Sequence, residues 1–220
     1  MNGHKAGQRE PLLSASANYR LGLCLAQEAA ELLHHCSDWL TDSERAVLDS
    51  LKTEKRRRDW LAGRIAAKRA LGEGQPKDIE IANAESGRPY AELPGGRKMN
   101  ISISHCEAGG LGAAASSVIG VDWEAIRTQT PAVIGYYATA REQESLRSPE
   151  DQIRLWTAKE AVFKLLSEEL NHDLREIELL AAGKLSLSGQ ALKRWEKLGR
   201  PSIRLDHGVY AGACISVAYI

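Results

Sequence analysis

Ile119-Gly-Val-Asp-Trp-Glu124 is the stretch from which the fold is read outward. It has the pattern of a short strand, in which side chains alternate faces. Asp122 and Glu124 therefore share one face, and Val121 and Trp123 the other. Two unit charges about 4 Å apart, at an effective dielectric near 20, repel by about 4 kcal/mol. Such a pair survives in water or around a cation. Hard carboxylate oxygens suit Mg²⁺, which takes one or two of them together with phosphates and waters. Taken alone, the hexapeptide favours a strand end with two solvated acids over a metal site.

Upstream, Met99-Asn-Ile-Ser-Ile-Ser-His105 alternates apolar and polar residues and predicts a strand. Gly109, Gly110 and Gly112 follow, then Ala113 to Val118. The two strands, Met99–His105 and Ile119–Glu124, are expected to pair antiparallel. His105 next to a glycine-rich segment suits a phosphate contact, because glycine lets a ligand approach the backbone closely. A hydrogen-bonded structural histidine is the alternative. No nucleophile elbow or Ser-His-Asp order supports a hydrolase triad.

Downstream, Asp151 to Leu166 has the strongest helical periodicity, with Leu155, Ala158, Val162, Leu165 and Leu166 as its buried stripe. Trp156, Glu160 and Lys164 fall on one line of that helix. They read either as a surface Glu–Lys pair or as a third carboxylate and a phosphate-neutralising lysine. Ala132–Tyr137 and Thr139–Leu146 look helical, with Glu142 early in the second. Thr41-Asp-Ser-Glu44 has the spacing of a capping box, with a helix to about Leu51. A long helix is expected over Glu54–Leu71, stopped by Gly72, Gly74 and Pro76. The block from Lys52 to Arg69 is strongly basic, and Arg57, Arg58 and Arg64 form a solvated face or an anion site. Arg88 sits in a Ser86-Gly-Arg-Pro89 turn, a fixed backbone that suits a phosphate-binding cation. The remainder leans to strand at Ile79–Ala82, Ile177–Leu180, Lys184–Leu187, Ile203–Leu205 and Tyr210–Tyr219, with a helix near 190–198.

The 220 residues carry 29 basic and 29 acidic side chains, so net charge makes no case for nucleic acid or membrane. Cys24, Cys36, Cys106 and Cys214 lack zinc or CxxC spacing, which fits a reducing cytoplasmic compartment. No signal-like or membrane-length apolar run is present. Residues 1–18 are expected to be loose, 19–117 to form an N-terminal half and 118–220 a C-terminal half. No simple repeat is visible, though both halves place helices before an alternating strand.

Three blocks together, Asn100-Ile-Ser-Ile-Ser-His105, Gly120-Val-Asp-Trp-Glu124 and Trp156-Thr-Ala-Lys-Glu-Ala-Val-Phe-Lys164, resemble the signatures of the 4′-phosphopantetheinyl transferases. The length is similar to the pseudo-dimeric, Sfp-type branch, as are Trp60-Leu-Ala-Gly-Arg64 and Gly87-Arg-Pro89. The resemblance implies an α+β fold of two similar halves in pseudo-twofold arrangement, each a small, mostly antiparallel sheet packed on a long helix. It implies transfer of the phosphopantetheine arm of coenzyme A to a serine of an apo acyl or peptidyl carrier protein, with adenosine 3′,5′-bisphosphate released.

By that resemblance Asp122, Glu124 and Glu160 would hold Mg²⁺. Lys164 and His105 would contact phosphates, with Ser104 beside them. Arg88 would lie near the nucleotide, and Arg57 or Arg58, with Arg64, would take the 3′-phosphate. Glu142 would be the base for the incoming serine. Trp123 departs from the pattern by its bulk between the two acids, where it would crowd the metal's open side. A monomer is expected, since both halves lie in one chain. A non-catalytic relative that binds coenzyme A or a carrier, and a Mg²⁺-dependent phosphohydrolase, are the other readings.

Overall fold

In the computed structural model the described residues are 18–166, 173–180 and 183–220. The expectation of a loose N-terminal segment falls almost wholly outside them. The chain opens with β1 (Arg20–Leu25), α1 (Ala26–Leu32), α2 (Asp42–Ser50) and α3 (Glu54–Leu71). β2 (Glu80–Asn83), β3 (Pro89–Glu92), β4 (Lys98–Cys106) and β5 (Gly109–Ala115) complete an antiparallel sheet in the order β1-β5-β4-β3-β2. β6 (Ile119–Ala125) starts a second sheet. α4 (Pro131–Tyr137), α5 (Ala140–Gln143), α6 (Pro149–Leu166), β7 (Ile177–Leu179), β8 (Leu185–Leu187) and α7 (Gly189–Lys197) follow. β9 (Arg204–Tyr210) and β10 (Ala213–Tyr219) finish it in the order β6-β10-β9, with β7 and β8 as a separate pair. No helix among the described residues is long and apolar enough to cross a membrane.

Local chemistry sets several of these bounds. The Thr41 hydroxyl accepts from Glu44 N–H while the Glu44 carboxylate accepts from Thr41 N–H, so the capping box forms. Thr53 caps α3, and Gly72, at φ 65°, ends it in the left-handed conformation that glycine adopts without a Cβ clash. The stretch 210–219 is not one strand. Ala211 and Gly212 both have positive φ and make the tight turn of the β9–β10 hairpin.

The expected pairing of β4 with β6 does not form. β4 pairs with β5, and β6 pairs with β10, Asp122 lying opposite Ser216. The glycine-rich segment is a strand rather than a ligand-facing loop. A Cβ on Gly110 would come within 2.4 Å of Ala62 backbone, and one on Gly112 within 2.4 Å of Ala67 N. These glycines let α3 lie directly on β5. In the same way Gly120 lets α6 lie on β6, where a Cβ would meet Ala161 O at 1.9 Å. The two sheets bury a shared core of Leu111, Ala113, Ile119, Val121, Trp123, Ile215 and Val217. Trp123 thus points into the core, away from the acids, because it lies on the opposite face of β6.

The halves carry a repeat that the sequence analysis missed. One constant shift in numbering carries Gly22, Trp39, Thr41 and Glu44 onto Gly120, Tyr137, Thr139 and Glu142. In the first half the Glu44 carboxylate accepts from Thr41 N (3.1 Å) and Ile81 N (3.2 Å) and pairs with Lys68. Lys68 Nζ also donates to Trp39 O (2.8 Å) and Pro76 O (2.9 Å). In the second half Glu142 accepts from Thr139 N and Leu179 N, each 2.8 Å, and pairs with Lys159 at 2.5 Å. Lys159 Nζ also donates to Tyr137 O (2.7 Å) and Leu174 O (3.4 Å). All four side chains are buried, and each charge is paired and hydrogen-bonded, as burial demands. Lys68 is therefore no part of a solvated basic face.

Candidate active site

The site is built where β6 crosses β4. Alternation along β4 sends Ser102 and Ser104 toward β6, and Ile103 and His105 toward α3. Ser102 Oγ accepts from Val121 N (3.0 Å), and Ser104 Oγ accepts from Trp123 N (3.2 Å). Two hydroxyls thus take the place of a backbone ladder along this edge of β6. Ser104 Oγ then donates to Asp122 Oδ1 at 2.7 Å.

From α6, Lys164 Nζ reaches the same Asp122 Oδ1 at 2.7 Å and Val121 O at 3.0 Å. Glu160 lies one turn earlier. Burial, together with the negative charge of Asp122, pushes its carboxyl up to about 7, and Lys164 only partly opposes this. The structure thus brings Ser104, Asp122, Glu160 and Lys164 together. Glu124 is turned aside: its Oε1 accepts from Arg127 at 2.6 Å and from Ala125 N at 3.1 Å. Among the described residues no three His, Cys, Asp or Glu side chains are grouped as a metal cage. The donor chemistry still fits a hard divalent ion. Asp122 and Glu160 offer oxygens, and their mutual repulsion is what a cation relieves. For Glu124 to join, it would offer its other oxygen, Oε2, or exchange Arg127 for the ion.

Two neighbouring cavities share Pro89 and Ile103. The larger, about 610 Å³, is lined by Lys55, Arg56, Trp60, Arg64, Asn83 and His105 among others. The smaller, about 190 Å³, is lined by Arg88, Ser102, Ile119 and Lys164 among others. Both follow β4 beyond Asn100, where the pairing with β3 ends. A ligand there would meet His105 on one face of the strand and reach toward Ser104 on the other.

The arginines sort differently from expectation. Arg57 donates to Leu48 O and Asp49 O, each at 3.2 Å, and so caps the end of α2 outside the larger cavity. Arg58 does not line that cavity either, and its Nε lies 3.8 Å from Asp59. Arg64 does line it, stacked over Trp60 at 4.7 Å with Nε 3.8 Å from Glu44. Lys55 and Arg56 were not singled out by the sequence reading. For Arg56 the available signal was its spacing on α3, four residues before Trp60 and eight before Arg64. Arg88 donates to Lys164 O (2.7 Å) and to Leu165 O, satisfying carbonyls that the end of α6 leaves open. Glu142, the expected base, is buried and held by Thr139, Leu179 and Lys159.

The first half has a degenerate counterpart of this site. The shift that matches Gly22 to Gly120 places Cys24 at the position of Asp122 and Ala26 at that of Glu124. Matching Lys68 to Lys159 places Arg69 at the position of Glu160. Arg69 donates to Leu23 O at 2.6 Å and forks onto Glu28. A guanidinium fills the position, so only one half presents acids.

Residues 118–211 match the family model of the 4′-phosphopantetheinyl transferase superfamily. Through these residues the chain is similar to members of that superfamily. It is 30% identical over 145 residues to the 4′-phosphopantetheinyl transferase Npt of Nocardia iowensis, covering 62% of this chain and 64% of that protein. It is 40% identical over 77 residues to a holo-[acyl-carrier-protein] synthase of Staphylococcus carnosus, covering 31% of this chain and 65% of that protein. The chain thus spans somewhat less than two thirds of the length of these relatives. A solved holo-(acyl-carrier-protein) synthase from Bacillus anthracis, in complex with CoA (3′,5′-ADP), aligns with a TM-score of 0.39 and 27% identity, over 46% of this chain and 96% of that one.

Proposed function

We propose that this protein transfers the 4′-phosphopantetheine group of coenzyme A to a serine of an apo carrier protein, with Mg²⁺, and releases adenosine 3′,5′-bisphosphate. The observation that carries the reading is the arrangement along β4. A cavity lined by Lys55, Arg56, Arg64 and His105 adjoins a smaller one lined by Lys164, whose ammonium meets Asp122, with Glu160 one turn away on α6. Such an order suits a nucleotide whose diphosphate ends at a cation-ready acid pair. The named activities of the relatives from Nocardia iowensis and Staphylococcus carnosus agree with it.

In this reading Asp122 and Glu160 hold the ion, with Glu124 joining through Oε2 or in exchange for Arg127. When bound, Mg²⁺ neutralises diphosphate oxygens and stabilises the leaving phosphate. Lys164 offers a second positive charge to the phosphates, and Ser104 fixes the Asp122 carboxylate in place. The basic side chains of the larger cavity hold the nucleotide end, since group transfer to a hydroxyl depends on positioning and charge neutralisation. The carrier serine must lose a proton. The contacts around Glu142 close it to that task. Both walls of the cleft come from one chain, which supports a monomer, and the unpaired cysteines support a cytoplasmic setting.

The test is to mix purified protein, coenzyme A, Mg²⁺ and a panel of apo carriers, and to weigh the carriers by mass spectrometry. One carrier should gain the phosphopantetheine arm, and chelating the metal should stop the gain. Glu160→Gln should abolish transfer and leave coenzyme A binding largely intact. Coenzyme A binding with no gain by any carrier would point to a non-catalytic relative. Phosphate release without a carrier would point to a phosphohydrolase.

A further inference from the structure

The repeated Lys–Glu pairs say what Glu142 does. The same contacts, a glutamate closing a Thr-x-x-Glu capping box and a helix lysine donating to two main-chain carbonyls, occur at Glu44–Lys68 and at Glu142–Lys159. The first copy sits in the half whose acid positions hold Cys24, Ala26 and Arg69. A contact set retained where no acid site exists is not there to accept a proton from substrate. Its geometry is that of a bolt. In each half it ties a long helix to the segment before the capping box, to the chain after that helix, and to the next strand region.

Only the second bolt sits against chemistry. Lys159 is the neighbour of Glu160 on α6, and Gly120 lets that helix touch β6. A rotation of α6 about its axis would carry Glu160 and Lys164 away from Asp122. We propose that Lys159 and Glu142 are positioning residues, which fix the rotation of α6 and thereby the aim of Glu160 and Lys164 at Asp122. This rests on the metal reading given above and assigns Glu142 a role distinct from that of a base.

The experiment compares Glu142→Gln and Lys159→Met, singly and combined, with Glu44→Gln. Mn²⁺ affinity is measured on the protein alone, with no carrier present. Melting temperature, kcat and KM for coenzyme A, and the pH profile of kcat are measured alongside. Supporting residues around a metal site commonly change affinity about 10-fold to 100-fold when replaced. Each second-half variant should weaken Mn²⁺ binding about tenfold. Each should lower kcat with little change in KM and keep the shape of the pH profile. The double variant should be no worse than the weaker single, since each removes the same bolt. Glu44→Gln should lower the melting temperature and leave Mn²⁺ affinity unchanged.

Loss of the acidic limb in Glu142→Gln, with Mn²⁺ affinity unchanged, would make Glu142 a base and overturn the proposal. So would variants that melt earlier yet bind Mn²⁺ normally. If a single variant fails to fold, Glu142→Asp keeps the charge, and normal Mn²⁺ affinity there would equally count against the bolt. No Mn²⁺ binding by the unaltered protein would overturn the metal reading itself and the bolt's role with it.

Discussion

Ser104 and Asp122 come from different sheets and meet at 2.7 Å, the serine hydroxyl donating to Oδ1 while its oxygen accepts the Trp123 N–H. One side chain thus completes the backbone of β6 and orients the carboxylate nearest Lys164. Both residues are buried. Ser104→Ala would leave the Trp123 N–H without its partner and Asp122 with one donor fewer. An orphaned buried polar group costs about 1–3 kcal/mol. Urea unfolding should show a loss of that size, together with weaker Mn²⁺ binding. A variant as stable as the parent would mean that water or another group replaces the hydroxyl.

Arg56 and Arg57 are adjacent in sequence and predicted to differ in effect. Arg56 lines the larger cavity, whereas Arg57 caps the end of α2. Charge-assisted hydrogen bonds contribute about 1.5–3 kcal/mol, roughly ten- to a hundredfold in affinity. Arg56→Ala and Arg64→Ala should weaken coenzyme A binding by about tenfold or more, measured by calorimetry. Arg57→Ala should lower the melting temperature and leave that affinity near the parent value. The reverse ranking would place the phosphate on the other face of α3.

Much of the fold was legible because its causes are local. The bounds of α3 follow from Thr53, which caps it, and Gly72, which stops it; the Thr41–Glu44 capping box and the β4 alternation are local as well. What was not legible depends on tertiary partners. Gly109, Gly110 and Gly112 look like a loop in sequence, yet they form a strand because a helix presses on them. Nothing beside Arg57 says that its guanidinium will turn back to Leu48 O. Trp123 was misplaced for another reason. Alternation puts it on the face opposite Asp122, so its bulk fills the core and leaves the side of the acids open. The Thr139–Glu142 box was visible, with the spacing of Thr41–Glu44, but only the folded chain shows that each box receives a buried lysine.

Gly120 tests how closely α6 must lie on β6. A Cβ there would sit 1.9 Å from Ala161 O and 2.7 Å from Leu165 N, both backbone atoms that cannot swing aside. Overpacking of this kind costs about 1–3 kcal/mol or more. Gly120→Ala should unfold at lower urea, and the displaced helix should bind Mn²⁺ more weakly. Gly135→Ala is the control, because its Cβ would meet nothing within 4 Å. Equal stability of the two variants would show that α6 can stand off the sheet at no cost.

His207 predicts how stability varies with pH. Its Nδ1 lies 2.9 Å from Ser216 Oγ, which in turn meets Thr157 Oγ1 of α6 at 2.8 Å. Burial, with the nearby Arg154 charge, lowers the imidazole's pKa from its usual 6.5, while Asp206 opposes this weakly. The folded state therefore holds His207 neutral where the unfolded chain already takes up a proton. Stability linked to this group is full above about pH 6.5 and falls as pH drops through that value, until the folded imidazole also protonates. One proton contributes at most about 1.4 kcal/mol per pH unit over that window. His207→Asn removes the titrating group, so its urea midpoint should fall less between pH 7 and pH 5 than the parent's. An identical slope in the two proteins would assign the acid sensitivity to carboxylates instead.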